Sequence, residues 1–209
     1  MIITRFAPSP TGFLHIGNLR TAIFNFLATR KEGGKFILRL DDTDSSRSKK
    51  EFVDQVKEDL NWLGIFWDQE FSQSDHIKRY DSIKKELMEM GRVYECFETP
   101  AELDLKRKKL LSMGRPPVYD RASLQLSEKE KEKLRSEKPS YWRFKLNNEV
   151  VEWRDSILGN QSINPSSVSD PVIVKADGQY LYTLASVVDD IDYGVTDIIR
   201  GSDHVTNTA

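Results

Sequence analysis

Residues 2 to 18 constrain this chain more than any other stretch; they read Ile-Ile-Thr-Arg-Phe-Ala-Pro-Ser-Pro-Thr-Gly-Phe-Leu-His-Ile-Gly-Asn. A short β-prone run, Ile2 to Phe6, gives way to a loop held by Pro8, Pro10 and Gly12. Leu19, Ile23, Phe26 and Leu27 then recur at helical spacing, so a helix opens directly after His15-Ile16-Gly17. Strand, stiff loop and helix suit an anion site, because the first N–H groups of a helix lack intrahelical partners and the helix dipole favours negative charge there. The prolines fix φ and lower the entropy cost of ordering the loop. Gly17 lets a phosphate or flat ring approach the backbone, and His15 brings an imidazole N–H to the helix entrance. A Pro-Gly turn before a helix is common, however, and a lone histidine more often packs than reacts. These residues alone leave the anion site open.

The 209 residues suffice for one full domain, or one domain with an insertion. Four Trp, ten Phe and seven Tyr supply a real core. No run of about 18 apolar residues exists, so no membrane span is expected, and the N-terminus lacks the basic and apolar regions of a signal peptide. The single cysteine, Cys96, excludes an internal disulfide and fits a reducing cytoplasm. A net charge of -2 gives no overall push toward nucleic acid, so any RNA contact must come from a local patch.

After the first helix, Gly33-Gly34 is a stop signal, and Lys35 to Leu40 reads as a second strand ending in Arg39-Leu40-Asp41-Asp42-Thr43-Asp44. Acids at the C-terminal end of a strand in an α/β sheet lie where ligands are expected, but the residues alone favour a solvated acidic turn before a helix capped by Ser46 or Ser48. A helix over about 49–63 carries Phe52, Val53, Val56 and Leu60 on one face, with Gly64 as its cap. Another, over about 76–90, is expected to bury Ile77, Tyr80, Ile83 and Leu87. Trp62 and Trp67 read as core, and His76 as structural. Thr99-Pro100-Ala101-Glu102 and Ser127-x-x-Glu130 are capping boxes opening two further helices. Residues 101–140 hold eleven Lys or Arg against seven Asp or Glu, densest at Lys106-Arg107-Lys108-Lys109. Such a run is either a solvated face or an RNA-backbone patch. Residues 142–153 read as a hairpin, Asp177-Gly178 as a turn, 184–191 as a helix and 195–199 as a strand leading to Arg200.

The string Arg5-Phe6-Ala7-Pro8-Ser9-Pro10-Thr11-Gly12, two residues before His15-Ile16-Gly17-Asn18, closely resembles the first motif of class I aminoacyl-tRNA synthetases in its glutamyl form. Asn18 replaces the last His of the usual motif, a departure frequent in that family. Residues 39–44 resemble the family's Arg-Ile-Glu-Asp-Thr-Asp, with Asp41 one methylene shorter than the usual Glu. Tyr182-x-Leu184-Ala185-x-Val187-Val188-Asp189-Asp190 and Gly194 to Arg200 resemble its second substrate segment.

The resemblance implies an α/β fold: a Rossmann-like catalytic domain in two segments, 1–97 and 178–209, split by an α+β insertion, 98–177, that holds the tRNA acceptor stem. It implies activation of L-glutamate by ATP with Mg²⁺ and transfer to tRNA(Glu), with tRNA(Gln) open as a second partner. By the same resemblance, His15, Gly17, Asn18 and Thr11 serve ATP, within a signature of Pro8, Ser9, Pro10, Thr11, Gly12, His15, Ile16, Gly17 and Asn18. Arg5 takes the side-chain carboxylate of glutamate, Ala7 and Ser9 line the amino acid, Asp41 holds the α-ammonium, Tyr182 closes the pocket and Arg200 lies near the α-carboxylate. Ser186 stands in place of a frequent Asn, and Asp203 where another acid is found. Relatives that bind zinc in the insertion use Cys-x-Cys, then Tyr and Cys; here those places are Cys96, Glu98, Tyr119 and Ser123, so no zinc is expected.

The family continues beyond the matched residues into a lysine-bearing loop that grips the ATP phosphates and an anticodon-binding region. The isolated chain is therefore expected to be inactive, as well as monomeric and cytoplasmic. Three other readings stay open: a paralogue that attaches glutamate to an anticodon base, a small nucleotidyltransferase, and a catalytically incomplete RNA-binding fragment.

Overall fold

The computed structural model describes all residues, Met1 to Ala209. The chain forms two compact units: Met1–Ile83 with Tyr182–Val205, and Lys84–Leu181 with Thr206–Ala209.

The first unit is built on β1 (Ile3–Phe6), α1 (Ile16–Lys31), β2 (Lys35–Leu40), α2 (Lys50–Trp62) and β3 (Gln69–Ser72). The three strands form a parallel sheet in the order β1-β2-β3, each joined to the next through a helix. The central strand β2 buries its last five residues, the pattern of a strand covered on both faces. Phe6, Ala22, Phe36, Leu38, Leu40, Val56, Leu60 and Ile65 form the core, and Phe26 meets Phe36 edge to face. Gly34 is required at the entry to β2, since a Cβ there would lie on the carbonyl of Ile2.

Helix α1 buries a different stripe from the one its apolar spacing marks. Ala22, Asn25 and Thr29 are buried, while Leu27 is 56% exposed. The reason is a polar seam. Thr4 Oγ1 and Thr29 Oγ1 lie 2.6 Å apart, both hydroxyls contact the Asn25 carbonyl, and Asn25 Nδ2 donates to the carbonyl of Ile199 at 3.0 Å. A buried hydrogen-bonded seam does not register as hydrophobic periodicity.

Helix α2 starts without the expected serine cap: Lys49 precedes it with no side-chain bond, and Ser46 donates instead to Asp44. Trp62, expected in the core, is 84% exposed at its end. Helix α3 (Ile77–Glu89) buries only Tyr80; Ile83 and Leu87 are half-buried and Ile77 is exposed. Tyr80 is drawn inward by a hydrogen bond to Asp189, which an apolar pattern cannot report. Helix α6 (Tyr182–Asp192) buries Leu184, Ala185, Ser186, Val188 and Asp189. Residues 195–199 are not the expected strand; they run irregularly beside β1, where Ile3 N–H donates to Thr196 Oγ1 and Thr196 N–H to the Ile3 carbonyl.

In the second unit, β4 (Val93–Cys96), β5 (Tyr141–Phe144) and β8 (Val172–Val174) form an antiparallel sheet in the order β4-β5-β8. Helices α4 (Pro100–Ser112) and α5 (Glu128–Glu137) open on the capping boxes of Thr99 and Ser127. The hairpin falls later than expected. It joins β6 (Val151–Asp155) to β7 (Gly159–Ile163), because Trp142 and Phe144 belong to β5, held between β4 and β8. No helix is long and apolar enough to cross a membrane.

Candidate functional site

The loop after β1 is latched to the residues after β2. Pro8 and Pro10 are buried and lend carbonyls to Asp41 N–H at 3.0 Å and Lys49 N–H at 3.1 Å, and Thr11 N–H closes a turn on Ser9. Ser9 stays exposed, Ala7, Thr11 and Gly12 half-exposed, and Ile16 82% exposed.

His15 is the N-cap of α1. Its Nδ1 accepts the Gly17 N–H at 3.0 Å, its carbonyl accepts from Asn18 and Leu19, and its own N–H donates to Asn18 Oδ1 at 3.2 Å. The expectation of unpaired first-turn N–H groups is thus corrected: His15 satisfies those of Gly17 and Asn18 itself. With Nδ1 accepting, the proton of the neutral ring sits on Nε2, so an exposed N–H and the helix dipole are what face an anion. The space above Gly17 is taken by this ring; a Cβ there would lie 2.9 Å from His15 Cε1 and Nδ1.

Arg5, Asp41 and Ser186 meet in a buried ion-pair network, whereas Asp203 is 78% exposed and pairs His204 at 3.4 Å. Arg5, at 8% exposure, bonds Asp190 through Nε at 3.0 and 3.2 Å. Arg39, at 2%, clamps Asp41 from two nitrogens (Nε–Oδ1 2.6 Å, Nη2–Oδ2 3.2 Å), and also reaches Asp190 at 2.9 Å and Ser186 Oγ at 3.0 Å. Asp189 accepts from Tyr80, Gln73 and His76, and His76 also stacks on Tyr193.

Burial raises the Asp41 carboxyl to about 6, even though Arg39 and Arg5 pull it down. Burial opposes charge on Arg39, but Asp41, Asp190 and Asp189 outweigh it and hold Arg39 above the ordinary arginine value. Arg200 is held below the ordinary arginine value by burial and then by the field of Arg5, with Tyr182 and Asp190 pulling the other way. Tyr182, 40% exposed, is raised by burial and lies within the fields of Arg200 and Asp203. A buried guanidinium beside a carboxylate that stays ionised at neutral pH suits a small zwitterion.

The sequence reading gave Arg39, Asp189, Asp190, Tyr80 and Gln73 no role in the site, although it placed Tyr80 in the core and the charged residues within motifs. Arg39 interrupts an otherwise apolar central strand, and Asp189-Asp190 interrupt an apolar helix face. Each is a buried charge that needs a partner, and that was the available signal.

In the second unit, Lys106 bonds Glu98 and Asp120, and Lys108 bonds Asp104 at 2.7 Å, leaving Arg107 and Lys109 as the unpaired cations of the run. The four places compared with zinc ligands do meet, but they satisfy one another. Tyr119 donates to Glu98 at 2.8 Å, Ser123 donates to Glu98 at 3.1 Å, and Cys96 Sγ lies 3.6 Å from the Tyr119 hydroxyl. Burial raises the Cys96 thiol and so disfavours the thiolate a zinc ion needs. One disfavoured thiolate among oxygen donors is a poor match to a structural zinc site.

The chain matches, over residues 1–209, the family described as tRNA synthetases class I (E and Q), catalytic domain. It is 64% identical to glutamate–tRNA ligase 1 of Ruegeria pomeroyi over 100% of this chain and 47% of that protein. It is 63% identical to glutamate–tRNA ligase 2 of Ruegeria sp. strain TM1040, over 100% of this chain and 48% of that protein. Among solved structures, a glutamate tRNA ligase from Elizabethkingia meningosepticum, in complex with its amino acid, superposes with a TM-score of 0.89 at 32% identity, over 99% of this chain and 45% of that one. The chain spans about half the length of the curated relatives it matches.

Proposed function

The chain belongs to the class I tRNA synthetases of the E and Q group, and we propose that it binds L-glutamate and ATP and forms glutamyl-adenylate for transfer to tRNA(Glu). The observation that carries this reading is the buried ion-pair network Arg5–Asp190–Arg39–Asp41, held to the loop before His15 by the bond from Asp41 N–H to the Pro8 carbonyl. Arg5 bonds Asp190 only through Nε, so its terminal nitrogens are available to pair with the side-chain carboxylate of glutamate. Asp41 holds the α-ammonium and Arg200 lies near the α-carboxylate. Ala7, Ser9 and Ser186 line the amino acid, with Tyr182 and Asp203 at its edge. His15 offers Nε2–H to the α-phosphate, while Gly17, Asn18 and Thr11 shape its approach.

A carboxylate is already a nucleophile, so adenylation needs no general base. An oxygen of the α-carboxylate bonds to the α-phosphorus, the bond to the bridging oxygen breaks, and pyrophosphate leaves. Positioning and electrostatics carry the step. In the transfer step a ribose hydroxyl of the tRNA 3′ end attacks the acyl carbon and AMP departs.

We read residues 1–97 and 178–209 as a Rossmann-like nucleotide domain and 98–177 as an insertion for the acceptor stem. Within the run Lys106, Arg107, Lys108 and Lys109, the unpaired Arg107 and Lys109 are the members best placed to meet phosphates. tRNA(Gln) is a possible second substrate, the working form is a monomer, and the compartment is the cytoplasm.

A non-hydrolysable glutamyl-adenylate analogue tests the reading on this chain. It should bind at least about a hundredfold more tightly than glutamate, since one molecule then occupies both subsites. Equal affinity for analogues carrying unrelated aminoacyl groups would contradict it.

A further inference from the structure

We propose that Arg39 is the positioning residue of the amino-acid site, a buried guanidinium that fixes Asp41 with one edge and, through Asp190, fixes Arg5 with the other. The inference rests on the reading of that site as a glutamate site. The geometry is a chain of four charges, Asp41–Arg39–Asp190–Arg5, running from the group that would hold the ammonium to the group that would hold the side-chain carboxylate. Arg39 is its middle. It is 2% exposed and its polar contacts are all to protein groups, so it acts through its neighbours. Its planar fork lets it take Asp41 from two nitrogens while Nη1 reaches Asp190 and Nη2 reaches Ser186, a span a lysine ammonium cannot match.

A purely structural arginine would need partners but would not need to govern a ligand group. Arg39 governs one. The charged and titratable groups facing Asp41 are Arg5 from β1, Arg39 from β2, Tyr80 from α3 and Asp189 from α6. Of these, Arg39 gives the largest pull toward the ionised form, against burial and Asp189, which favour the protonated form. Take Arg39 away and only Arg5 opposes them. Asp41 would then carry a proton at neutral pH and could no longer attract an ammonium.

The test is calorimetric titration of the chain with L-glutamate from about pH 5 to about pH 9, for the unaltered chain, Arg39→Gln and Arg39→Lys, with circular dichroism to check folding. The unaltered chain should lose affinity as pH falls through about 6, the value to which the Asp41 carboxyl is raised. In Arg39→Gln that midpoint should rise by about two units, so affinity at neutral pH falls about tenfold and recovers above about pH 8.5. In Arg39→Lys the charge remains, so the midpoint should stay while affinity drops about tenfold at every pH.

A folded Arg39→Gln whose pH curve superposes on that of the unaltered chain would overturn the inference. Should Arg39→Gln not fold, an Arg39→Lys chain that binds glutamate as tightly as the unaltered one would overturn it instead. Failure of the unaltered chain to bind glutamate would overturn the reading of the site itself, a distinguishable result.

Discussion

Arg5→Gln lowers the affinity of the chain for L-glutamate about ten- to hundredfold and removes its preference over L-glutamine, as read by calorimetric titration of both ligands. The neutral amide keeps one hydrogen-bond donor but cannot neutralise a carboxylate. A hydrogen bond to a charged group is worth about 1.5–3 kcal/mol, which converts to that range of affinity. Arg5 is 8% exposed, so water screens the lost charge poorly. The change also takes one ion-pair partner from Asp190, which keeps Arg39, and a folding check should accompany the titration. Unaltered glutamate affinity would remove Arg5 from recognition of the side chain.

Asp41→Asn should cost about a hundredfold in glutamate affinity at neutral pH, because a charged, nearly buried partner of the ammonium is replaced by a dipole. It should also flatten the pH dependence. The carboxyl is raised to about 6 by burial, above its ordinary value, so it is ionised above that pH and protonated below it. Ammonium binding needs the ionised form. Binding by the unaltered chain is therefore present above pH 6 and weakens about tenfold for each unit below it. In Asp41→Asn no such acid limb remains. A limb persisting in the variant would assign the titration to another group.

The parts of the site written as local signals were legible in the sequence. The strand and the proline-stiffened loop occur where the residues suggest, and both capping boxes of the second unit form. His15 does stand at the helix entrance, but its use of Nδ1 as its own cap depends on a rotamer that spacing does not encode. The network of Arg39, Asp189 and Asp190 depends on residues roughly 150 positions apart meeting in space, for which a local pattern has no term. The same cause misplaced the buried face of α1, where Thr4 and Asn25 replace apolar contact with hydrogen bonds. Trp62 failed for a different reason: size and apolarity favour burial on average but do not decide it for one residue at a helix end.

Titration of the unaltered chain with L-glutamate and, separately, L-glutamine at about pH 7.5 tests the central claim most directly. In the proposed site Arg5 and Arg200 meet the two carboxylates of glutamate, whereas glutamine offers one. Glutamate should therefore bind, and at least about tenfold more tightly than glutamine. Equal binding of the two, tighter binding of glutamine, or no binding of glutamate would contradict the account.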